Sequence, residues 1–361
     1  MRPSLKMLLC GLLHVLSFVF AAHVTQPANA QIATTPLTRL PDTGQTIRFT
    51  QTFGEDADFV GSVPAFKDHG NGTVTDQVTG LMWQKTDGGE MTWEKAQEFA
   101  RDLKLGGHDD WRLPTSLELF SIMNHGKHGP AMDTDVFARS EARYWWTDAP
   151  RVDDSTKVWV VNTGGGIGAH AKRETISAGG DRPIHVRCVR GTSVLGTGPR
   201  LLDNGDGTVT DHRTGLIWQQ RASDKPMPWE AALQACDNLE LAGYSDWRLP
   251  NVKELRSLSD DQLVQPSLNK KFFAGAQAAL YWSSTTQSNR PERAWFVDFT
   301  TGLVSYSDKT EPCLVIAVRG GTATPTNRDK PAPDPKLFEQ GGGDRNPGGG
   351  KNKGKDKKKR P

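Results

Sequence analysis

Long hydrophobic runs are almost absent from this sequence, and the single one lies near its start. Residues 7–22 are apolar but shorter than the roughly 20 residues that a membrane-spanning helix needs. Arg2 and Lys6 precede this run, and Ala28-Asn29-Ala30 follows it, which is the pattern of a cleaved signal peptide. We therefore expect an exported mature chain in the periplasm, at the cell surface or outside the cell, with no transmembrane segment. An uncleaved anchor is the alternative.

Cysteine is scarce too, with four residues in the whole chain. Cys10 falls in the predicted signal peptide, which leaves Cys188, Cys236 and Cys313 for the mature chain. Disulfides persist in exported proteins, and an odd number of cysteines allows at most one internal bridge with one thiol left over.

Sequence motifs of catalysis and metal binding are missing as well. His125 and His128 form an H-x-x-H pattern, but zinc takes three or four ligands, so a solvated loop is the simpler interpretation. The turn Asp203–Gly207 resembles a calcium loop only in part, because Leu202 and Arg213 stand where carboxylates are required. We expect no catalytic residue, no bound metal and no cofactor.

The chain does contain a long internal repeat. Two stretches match in the same order and at a nearly constant offset, which indicates duplication of one structural unit. The matching segments are D-G-T-V-T-D (N-G-T-V-T-D in the first copy) with T-G-L-x-W, then W-E, D-W-R-L-P with E-L, Y-W, a later Trp, and V-R-G. The Y-W match pairs Tyr144-Trp145 with Tyr281-Trp282.

Local patterns predict the elements of each unit. Thr208–Thr210 and Leu216–Trp218 alternate around a turn, which is typical of a hairpin. Apolar residues recur at helical spacing over Trp229–Leu241, and a second helix follows a capping box in each copy. Short apolar runs such as Ala294–Phe299 and Leu314–Val318 predict strands, so the fold class is α+β.

The repeat divides the chain into six segments. We expect a signal peptide at 1–30, a partly ordered lead-in at 31–62, repeat 1 at 63–191, a linker at 192–198, repeat 2 at 199–321 and a disordered basic tail at 322–361.

These shared motifs resemble the Lcl C-terminal domain family, named for a collagen-like bacterial adhesin. The resemblance covers nearly all of both repeats. It implies two tandem C-type-lectin-like domains, each with a hairpin, two helices and a small, mostly antiparallel sheet. For some members it also implies glycan or surface adhesion. The R-L-P-x-x-x-E segment is similar to the formylglycine-generating oxidases as well, but those enzymes need a close cysteine pair that neither repeat supplies.

The family resemblance also implies a disulfide between the first helix and the last strand. In repeat 2 this predicts Cys236 bonded to Cys313, although Cys313 stands four residues earlier than Cys188 does in repeat 1. A bridge between Cys188 and Cys236 across the repeats is the alternative.

Most of the repeated polar and aromatic residues are expected to be structural. Arg112 with Glu118, and Arg248 with Glu254, flank a helix start at the same spacing, which favours a bidentate pair that joins loop and helix. Trp111 and Trp247 belong to five tryptophan pairs, at 83/218, 93/229, 111/247, 145/282 and 159/295, that are too many for a ligand surface.

One aromatic residue stands outside these pairs. The Y-W match leaves Trp146 opposite Ser283, so this residue appears unique to repeat 1. Together with Tyr144 and Asp148 it is the predicted contact surface of repeat 1.

The C-terminal tail is rich in proline, glycine and lysine. Residues 322–361 hold eleven basic against five acidic residues, and such a segment has too few apolar residues to form a core. A flexible lysine cluster favours acidic polysaccharide or another surface polyanion, whereas no motif for sequence-specific nucleic-acid recognition is present. The predicted binding residues are Lys351, Lys353, Lys355, Lys357, Lys358, Lys359 and Arg360. A merely solubilising tail is the alternative.

Taken together, the sequence predicts an exported, non-catalytic binding or adhesion protein with glycans or polyanions as ligand classes. The alternative is a structural or assembly protein of the envelope that contacts another protein. A relative of the formylglycine-generating oxidases is a third and weaker hypothesis.

Overall fold

A computed structural model describes residues 39–138, 140–176, 183–192, 195 and 200–322. The predicted signal peptide and the first residues of the lead-in lie outside this part of the chain. So do most of the predicted linker and all of the tail beyond residue 322, with its seven predicted binding residues.

In the described residues, both repeats contain strands and short helices in the same order, except that repeat 1 has one additional two-residue strand before its last strand. Those of repeat 1 are β1 Phe66–Asp68, β2 Thr73–Asp76, β3 Met82–Gln84, α1 Trp93–Asp102, α2 Ser116–Ser121, β4 Tyr144–Pro150, β5 Lys157–Asn162, β6 Ile167–Ala171, β7 Ile184–His185 and β8 Val189–Arg190. Those of repeat 2 are β9 Leu201–Asp203, β10 Thr208–Asp211, β11 Leu216–Gln219, α3 Trp229–Asp237, α4 Val252–Ser257, β12 Leu280–Thr286, β13 Arg293–Asp298, β14 Leu303–Asp308 and β15 Val318–Arg319.

Short-range chemistry explains the elements that recur. In the turn between β10 and β11, the buried carboxylate of Asp211 accepts bonds from the Arg213 amide at 2.9 Å and the Thr214 hydroxyl at 2.8 Å. Asp76 makes the corresponding bonds in repeat 1. Helices α2 and α4 begin with complete capping boxes at Thr115 and Asn251. The T-x-T-D and R-L-P-x-x-x-E motifs thus specify a hairpin turn and a helix start.

Two predicted elements are shorter in the structure. Helix α3 ends at Asp237 rather than at Leu241, because the chain then turns back so that Leu241 bridges to Tyr244. The predicted strand over Leu314–Val318 is regular only at Val318–Arg319, while Leu314 makes an isolated parallel bridge to Tyr281.

The strands form three sheets, and one of them joins the two repeats. Each repeat has a four-stranded sheet, in the order β1-β2-β3-β8 or β9-β10-β11-β15. The third sheet has seven strands in the order β12-β13-β14-β6-β5-β4-β7. Its two halves meet where β14 and β6 pair antiparallel at Val304 and Ile167. Because β6 and β14 are equivalent strands, the repeats meet as a pseudo-symmetric pair.

The hydrophobic core also crosses from one repeat to the other. A single cluster of buried side chains includes residues of both sheets and of helices α2 and α4. Its largest members are Trp83, Phe120, Trp145 and Trp159 from repeat 1 and Trp218, Phe273, Tyr281 and Trp295 from repeat 2. Each repeat has a smaller core of its own behind the first helix. The repeats are therefore distinct in sequence but packed as one body.

The part of the lead-in that the structure describes, residues 39–62, makes specific contacts with repeat 2. Gln45 pairs with the backbone of Thr286, donating to its carbonyl at 2.8 Å and accepting from its amide at 3.0 Å. Residues Asp56–Asp58 form a 3-10 helix whose side chains are buried. This part of the lead-in packs along repeat 2 through buried side chains.

Candidate functional site

The two arginine–glutamate pairs lie at the start of the second helix in each repeat. Arg112 donates two hydrogen bonds of 2.8 Å to Glu118, and Arg248 donates two of 2.6 Å to Glu254. Each arginine also donates to the carbonyl of the glycine that follows the last strand. The pairs differ in exposure, since the Arg112 side chain is 39% exposed and that of Arg248 only 3%.

Trp146 contradicts the prediction of a repeat-1 contact surface. The side chain is fully buried, and its indole N–H donates to the carbonyl of Met91 at 2.9 Å. Trp282 makes the same bond to Met227 in repeat 2. Trp146 is therefore a core residue with a direct counterpart.

The error arose from a one-residue slip in the alignment of the repeats. Trp93 donates to the carbonyl of Thr147, and Trp229 donates to that of Ser283, so Thr147 and Ser283 are equivalent. The same register makes Trp146 equivalent to Trp282, and Trp145 equivalent to Tyr281. The offset of 136 that relates Trp93 to Trp229 and Trp159 to Trp295 holds through this strand. Keeping that offset would have given the correct pairing.

The other members of that predicted surface are Tyr144 and Asp148, and they differ in exposure and in their contacts. Tyr144 is half-buried and packs edge-on against His170, with ring centroids 4.5 Å apart. Asp148 is exposed at the mouth of a cleft, although protein surrounds much of its carboxyl group. This desolvation, with repulsion from Glu118, raises the pKa of Asp148 to about 7.

The predicted disulfide between Cys236 and Cys313 is absent, and all three described cysteines are buried free thiols. Cys188 and Ala317 are equivalent residues. The amide of Cys188 donates to the Gln84 side chain, and the amide of Ala317 donates to the Gln219 side chain in the same way. Cys313 lies four residues earlier, in a bridge with Met227, and so does not occupy the position implied for a disulfide. Burial raises the pKa of Cys188 and of Cys313 to about 12, which keeps both thiols protonated.

The two histidines of the H-x-x-H pattern do not form a pair. His125 is buried between Phe120 and Trp295, and its Nε2 donates to the Gly165 carbonyl at 2.9 Å. Burial, with the positive charge of Lys253 nearby, lowers its pKa to about 3. His128 is exposed. The interpretation of this segment as a solvated loop therefore fails for His125, which is a neutral core residue.

One arrangement resembles a hydrolytic triad without being one. Asp87 lies 3.0 Å from His185, and the Ser140 hydroxyl lies 3.4 Å from the same histidine. Both contacts are to Nδ1, whereas a triad needs the serine on the opposite ring nitrogen from the carboxylate. Across the described ranges, no group of three or more histidine, cysteine or acidic side chains is placed to hold a metal ion. Those ranges also contain no helix long and apolar enough to cross a membrane.

A cleft lies beside the Arg112–Glu118 pair. This repeat-1 cleft has a volume of about 490 Å³ and is lined mainly by the outer side of α1 and by the D-W-R-L-P segment. Its lining includes Gln97, Ala100, Arg101, Trp111, Arg112 and Asp148. Guanidinium, amide, carboxyl and aromatic groups thus surround one concave surface.

The equivalent surface of repeat 2 is covered by the lead-in. The Phe59 ring lies over the Arg248 guanidinium, with 5.3 Å between the ring centroid and the Cζ atom of Arg248. Gly54 lies against Leu233, the counterpart of Gln97. Asp56 accepts a hydrogen bond of 2.6 Å from Thr285. Residues 54–59 therefore occupy in repeat 2 the region that is open in repeat 1.

A second opening adjoins the first and repeats this contrast. This inter-repeat cavity, of about 90 Å³, lies between α2 and α4 and shares Asp148 with the cleft. Arg213 and Arg256 also line it. On the opposite side of the pseudo-symmetric pair, residues 42–45 fill the corresponding space. There Lys253 donates to the Asp42 carbonyl at 2.8 Å, and the His125 amide donates to that of Thr43 at 2.7 Å.

Buried ionisable side chains lie where the lead-in contacts repeat 2. Asp56 is fully buried, and this desolvation, with repulsion from Asp42, raises its pKa to about 8. Glu55 is buried as well, and desolvation raises its pKa to about 7 despite the nearby positive charge of Lys309. Desolvation lowers the pKa of Lys253 to about 8. Asp56 lies near Glu254 as Asp148 lies near Glu118, so each repeat has a carboxyl group beside its arginine–glutamate pair.

Sequence reasoning missed the lead-in as a functional element. Residues 53–59 read F-G-E-D-A-D-F, and the cluster of acids between two aromatic residues is the one visible signal. Nothing in that pattern identifies Arg248 and Thr285 as its contacts, since these lie far away along the chain.

Comparison with known protein families matches both repeats. A family model described as the Lcl C-terminal domain matches residues 72–190 and again residues 207–319. No curated protein matches the chain.

Proposed function

We propose that this chain, which belongs to the Lcl C-terminal domain family and carries two tandem copies of that domain, is an exported, non-catalytic binding protein whose ligand enters the repeat-1 cleft. The observation behind this proposal is the difference between the two clefts. The same surface is open in repeat 1 and filled by residues 54–59 in repeat 2. Repeat 2 then serves as scaffold, and repeat 1 carries the ligand site.

A C-type-lectin-like fold for each copy is part of the proposal. In this proposal, ligand binding serves adhesion to a surface, and glycans are among the ligand classes to test. The basic tail adds electrostatic attachment to acidic polysaccharide or another polyanion.

The absence of catalysis is also a proposal, supported by the state of the nucleophilic groups. The thiols of Cys188 and Cys313 are buried and protonated, so neither is a ready nucleophile. Ser140 and Asp87 compete for one nitrogen of His185, which leaves no activated serine there.

Assembly with another envelope protein is the second candidate function. It is favoured by what fills the repeat-2 cleft, namely a stretch of polypeptide rather than solvent. A surface that accepts peptide in one copy is suited to protein contacts in the other.

A variant pair tests whether the cleft is the binding site. Gln97 is exposed on α1 and lines the cleft, so Gln97→Trp fills the opening without disturbing the core. Lys95→Trp, also exposed on α1, is the matched control. We expect glycan, polyanion and protein-ligand screens of the intact chain to give binding that Gln97→Trp abolishes and Lys95→Trp retains.

Truncation at Gly321 separates the cleft from the tail. Binding that is lost with the tail and weakens with salt would place the activity in the lysine cluster. Binding that survives truncation but not Gln97→Trp would place it in the cleft. Binding that is insensitive to both changes contradicts the proposal.

A further inference from the structure

We propose that the repeat-1 cleft binds an extended peptide segment of a partner protein, with an aromatic side chain over Arg112 and a hydrogen-bond donor facing Asp148. This inference rests on the proposed function and deepens it by naming the ligand class. The template is the chain itself, because its own lead-in occupies the equivalent cleft of repeat 2.

The filled cleft shows which contacts a peptide makes there. An aromatic ring covers the guanidinium, since Phe59 stacks on Arg248 at 5.3 Å. A residue without a side chain passes close to α3, since Gly54 approaches the Leu233 side chain. Arg112 presents the same guanidinium in repeat 1, held by Glu118 in the same bidentate geometry, and its side chain is 39% exposed. The repeat-1 cleft is thus preformed for an aromatic anchor.

The adjoining cavity extends this template toward the centre of the molecule. In repeat 2 the lead-in continues into it, and Lys253 there donates to a backbone carbonyl. The corresponding cavity beside the repeat-1 cleft lies between the repeats and is lined by Arg213 and Arg256 of repeat 2, whose side chains are nearly fully buried. These two positively charged side chains suit the carbonyl groups of an incoming peptide, because hydrogen bonds from a charged donor are stronger than those from a neutral one.

Two substitutions between the repeats change the peptide that fits. Asp148 stands where repeat 2 has Ser284, since the amides of both donate to the equivalent prolines 114 and 250. Ala149 then stands in the place of Thr285, so the hydroxyl that binds the Asp56 carboxyl is missing. Repeat 1 therefore supplies a carboxyl group of its own and lacks the donor that an acidic ligand needs.

The charge preference follows from these differences. A ligand carboxylate would meet Asp148 near Glu118, and like charges at that distance repel. A hydroxyl, amide or ammonium group would instead donate to Asp148. The expected ligand is the lead-in pattern with its central acid replaced by a donor.

Synthetic peptides of the lead-in provide the probe. The sequence of residues 51–60 is prepared with Asp56→Ser, and in its native form, each labelled for fluorescence anisotropy against the intact chain. We expect the Asp56→Ser peptide to bind at least about tenfold more tightly than the native peptide, a difference well within the effect of one buried charge. Adding Phe59→Ala to the Asp56→Ser peptide should lower its affinity by about tenfold or more, because aromatic anchors dominate such contacts.

Protein variants show whether the cleft is where the peptide binds. Gln97→Trp should lower the affinity for the Asp56→Ser peptide by about tenfold or more, and Lys95→Trp should leave it unchanged. Asp148→Ser restores the repeat-2 residue and should raise the affinity for the native peptide.

Each of the following outcomes overturns the inference. If neither peptide binds, or if binding persists in Gln97→Trp because the peptide displaces the lead-in from repeat 2, the template argument is wrong. If a glycan binds and Gln97→Trp abolishes that binding while no peptide binds, the ligand class is wrong but the proposed function stands. If no ligand of any class responds to Gln97→Trp, both proposals fail together. Association of two native chains through their lead-ins, lost in Gln97→Trp, would identify the ligand as a second copy instead of a partner.

Discussion

Repeat 1 and repeat 2 have nearly the same framework, but the same surface is open in one and closed in the other. Both place an arginine–glutamate pair beside a buried tryptophan at the start of the second helix. In repeat 2 the lead-in covers this surface and supplies Asp56 from a distant part of the chain. In repeat 1 the corresponding carboxyl group, Asp148, belongs to the repeat itself and faces solvent. Duplication thus preserved the structural contacts while the covering segment made the two copies unequal.

Removing the two equivalent core tryptophans tests the structural half of this comparison and has the largest expected effect. Trp146→Ala and Trp282→Ala each delete a fully buried indole and its hydrogen bond, which should lower the free energy of unfolding by about 3–5 kcal/mol. Urea unfolding followed by circular dichroism measures both. A surface position exchanged for alanine, such as Lys95, is the control. A loss at Trp282 alone would restore the earlier interpretation of Trp146 as a contact residue.

Removing the arginine of each arginine–glutamate pair should lower the free energy of unfolding by different amounts in the two repeats. Arg248→Ala leaves Glu254 buried without its partner and removes the contact to Phe59, so we expect a loss of about 3–5 kcal/mol. Arg112→Ala exposes Glu118 to water through the open cleft, and a loss of about 1–3 kcal/mol is expected. Urea unfolding of both variants measures the two losses in the free energy of unfolding and shows whether they differ. Equal losses would mean that the lead-in adds nothing to the repeat-2 pair.

The lead-in should also make stability depend on pH. The folded chain holds the proton of Asp56 more tightly than the unfolded chain, because burial raises its pKa from 3.8 to about 8. This contribution to stability is complete below about pH 4 and is lost as the pH rises through 8. Asp56→Asn removes that titration, so the decline in melting temperature between pH 4 and pH 8 should become shallower.

The pH comparison has a matched control. Asp224 is exposed and lies 3.6 Å from Arg221, so Asp224→Asn should leave the pH profile as it is. A profile that is equally steep in Asp56→Asn would show that other groups, such as Glu55, account for the dependence.

The smallest expected change is in the response to reducing agents, because the described cysteines of both repeats are free thiols. A reducing agent should leave the melting temperature unchanged, because no described cysteine is part of a disulfide. Alkylation of the native protein should spare Cys188, Cys236 and Cys313, which become reactive after unfolding. Mass spectrometry under non-reducing conditions reads both results, and a mass lower by two hydrogens would restore the predicted bridge.

Much of the local structure was predictable because short-range rules govern it. The hairpin turn at Asp211 and the capping boxes at Thr115 and Asn251 depend on residues within three positions of one another. Arg248 and Glu254 are six positions apart and flank the capping box at Asn251, so their pairing was also visible in the sequence.

The candidate site depended on contacts that no local pattern contains. Asp56 meets Thr285 across 229 positions of the chain, and no rule of spacing brings these two residues together. The burial of Trp146 was hidden by an alignment anchored on a two-letter match rather than on the constant offset. The disulfide came from a family pattern, and the four-residue displacement of Cys313 was the sign that it does not apply.

The pairing of β6 with β14 has a consequence for how this protein avoids association with itself. In a separated repeat, either strand would be the outermost of its sheet, with a row of free backbone amides and carbonyls that invites pairing with another chain. Joined to each other, the two strands shield one another over the Ile167–Val304 contact. The duplication therefore leaves neither β6 nor β14 as a free edge of the described sheet, which removes one place where a strand of another chain could pair.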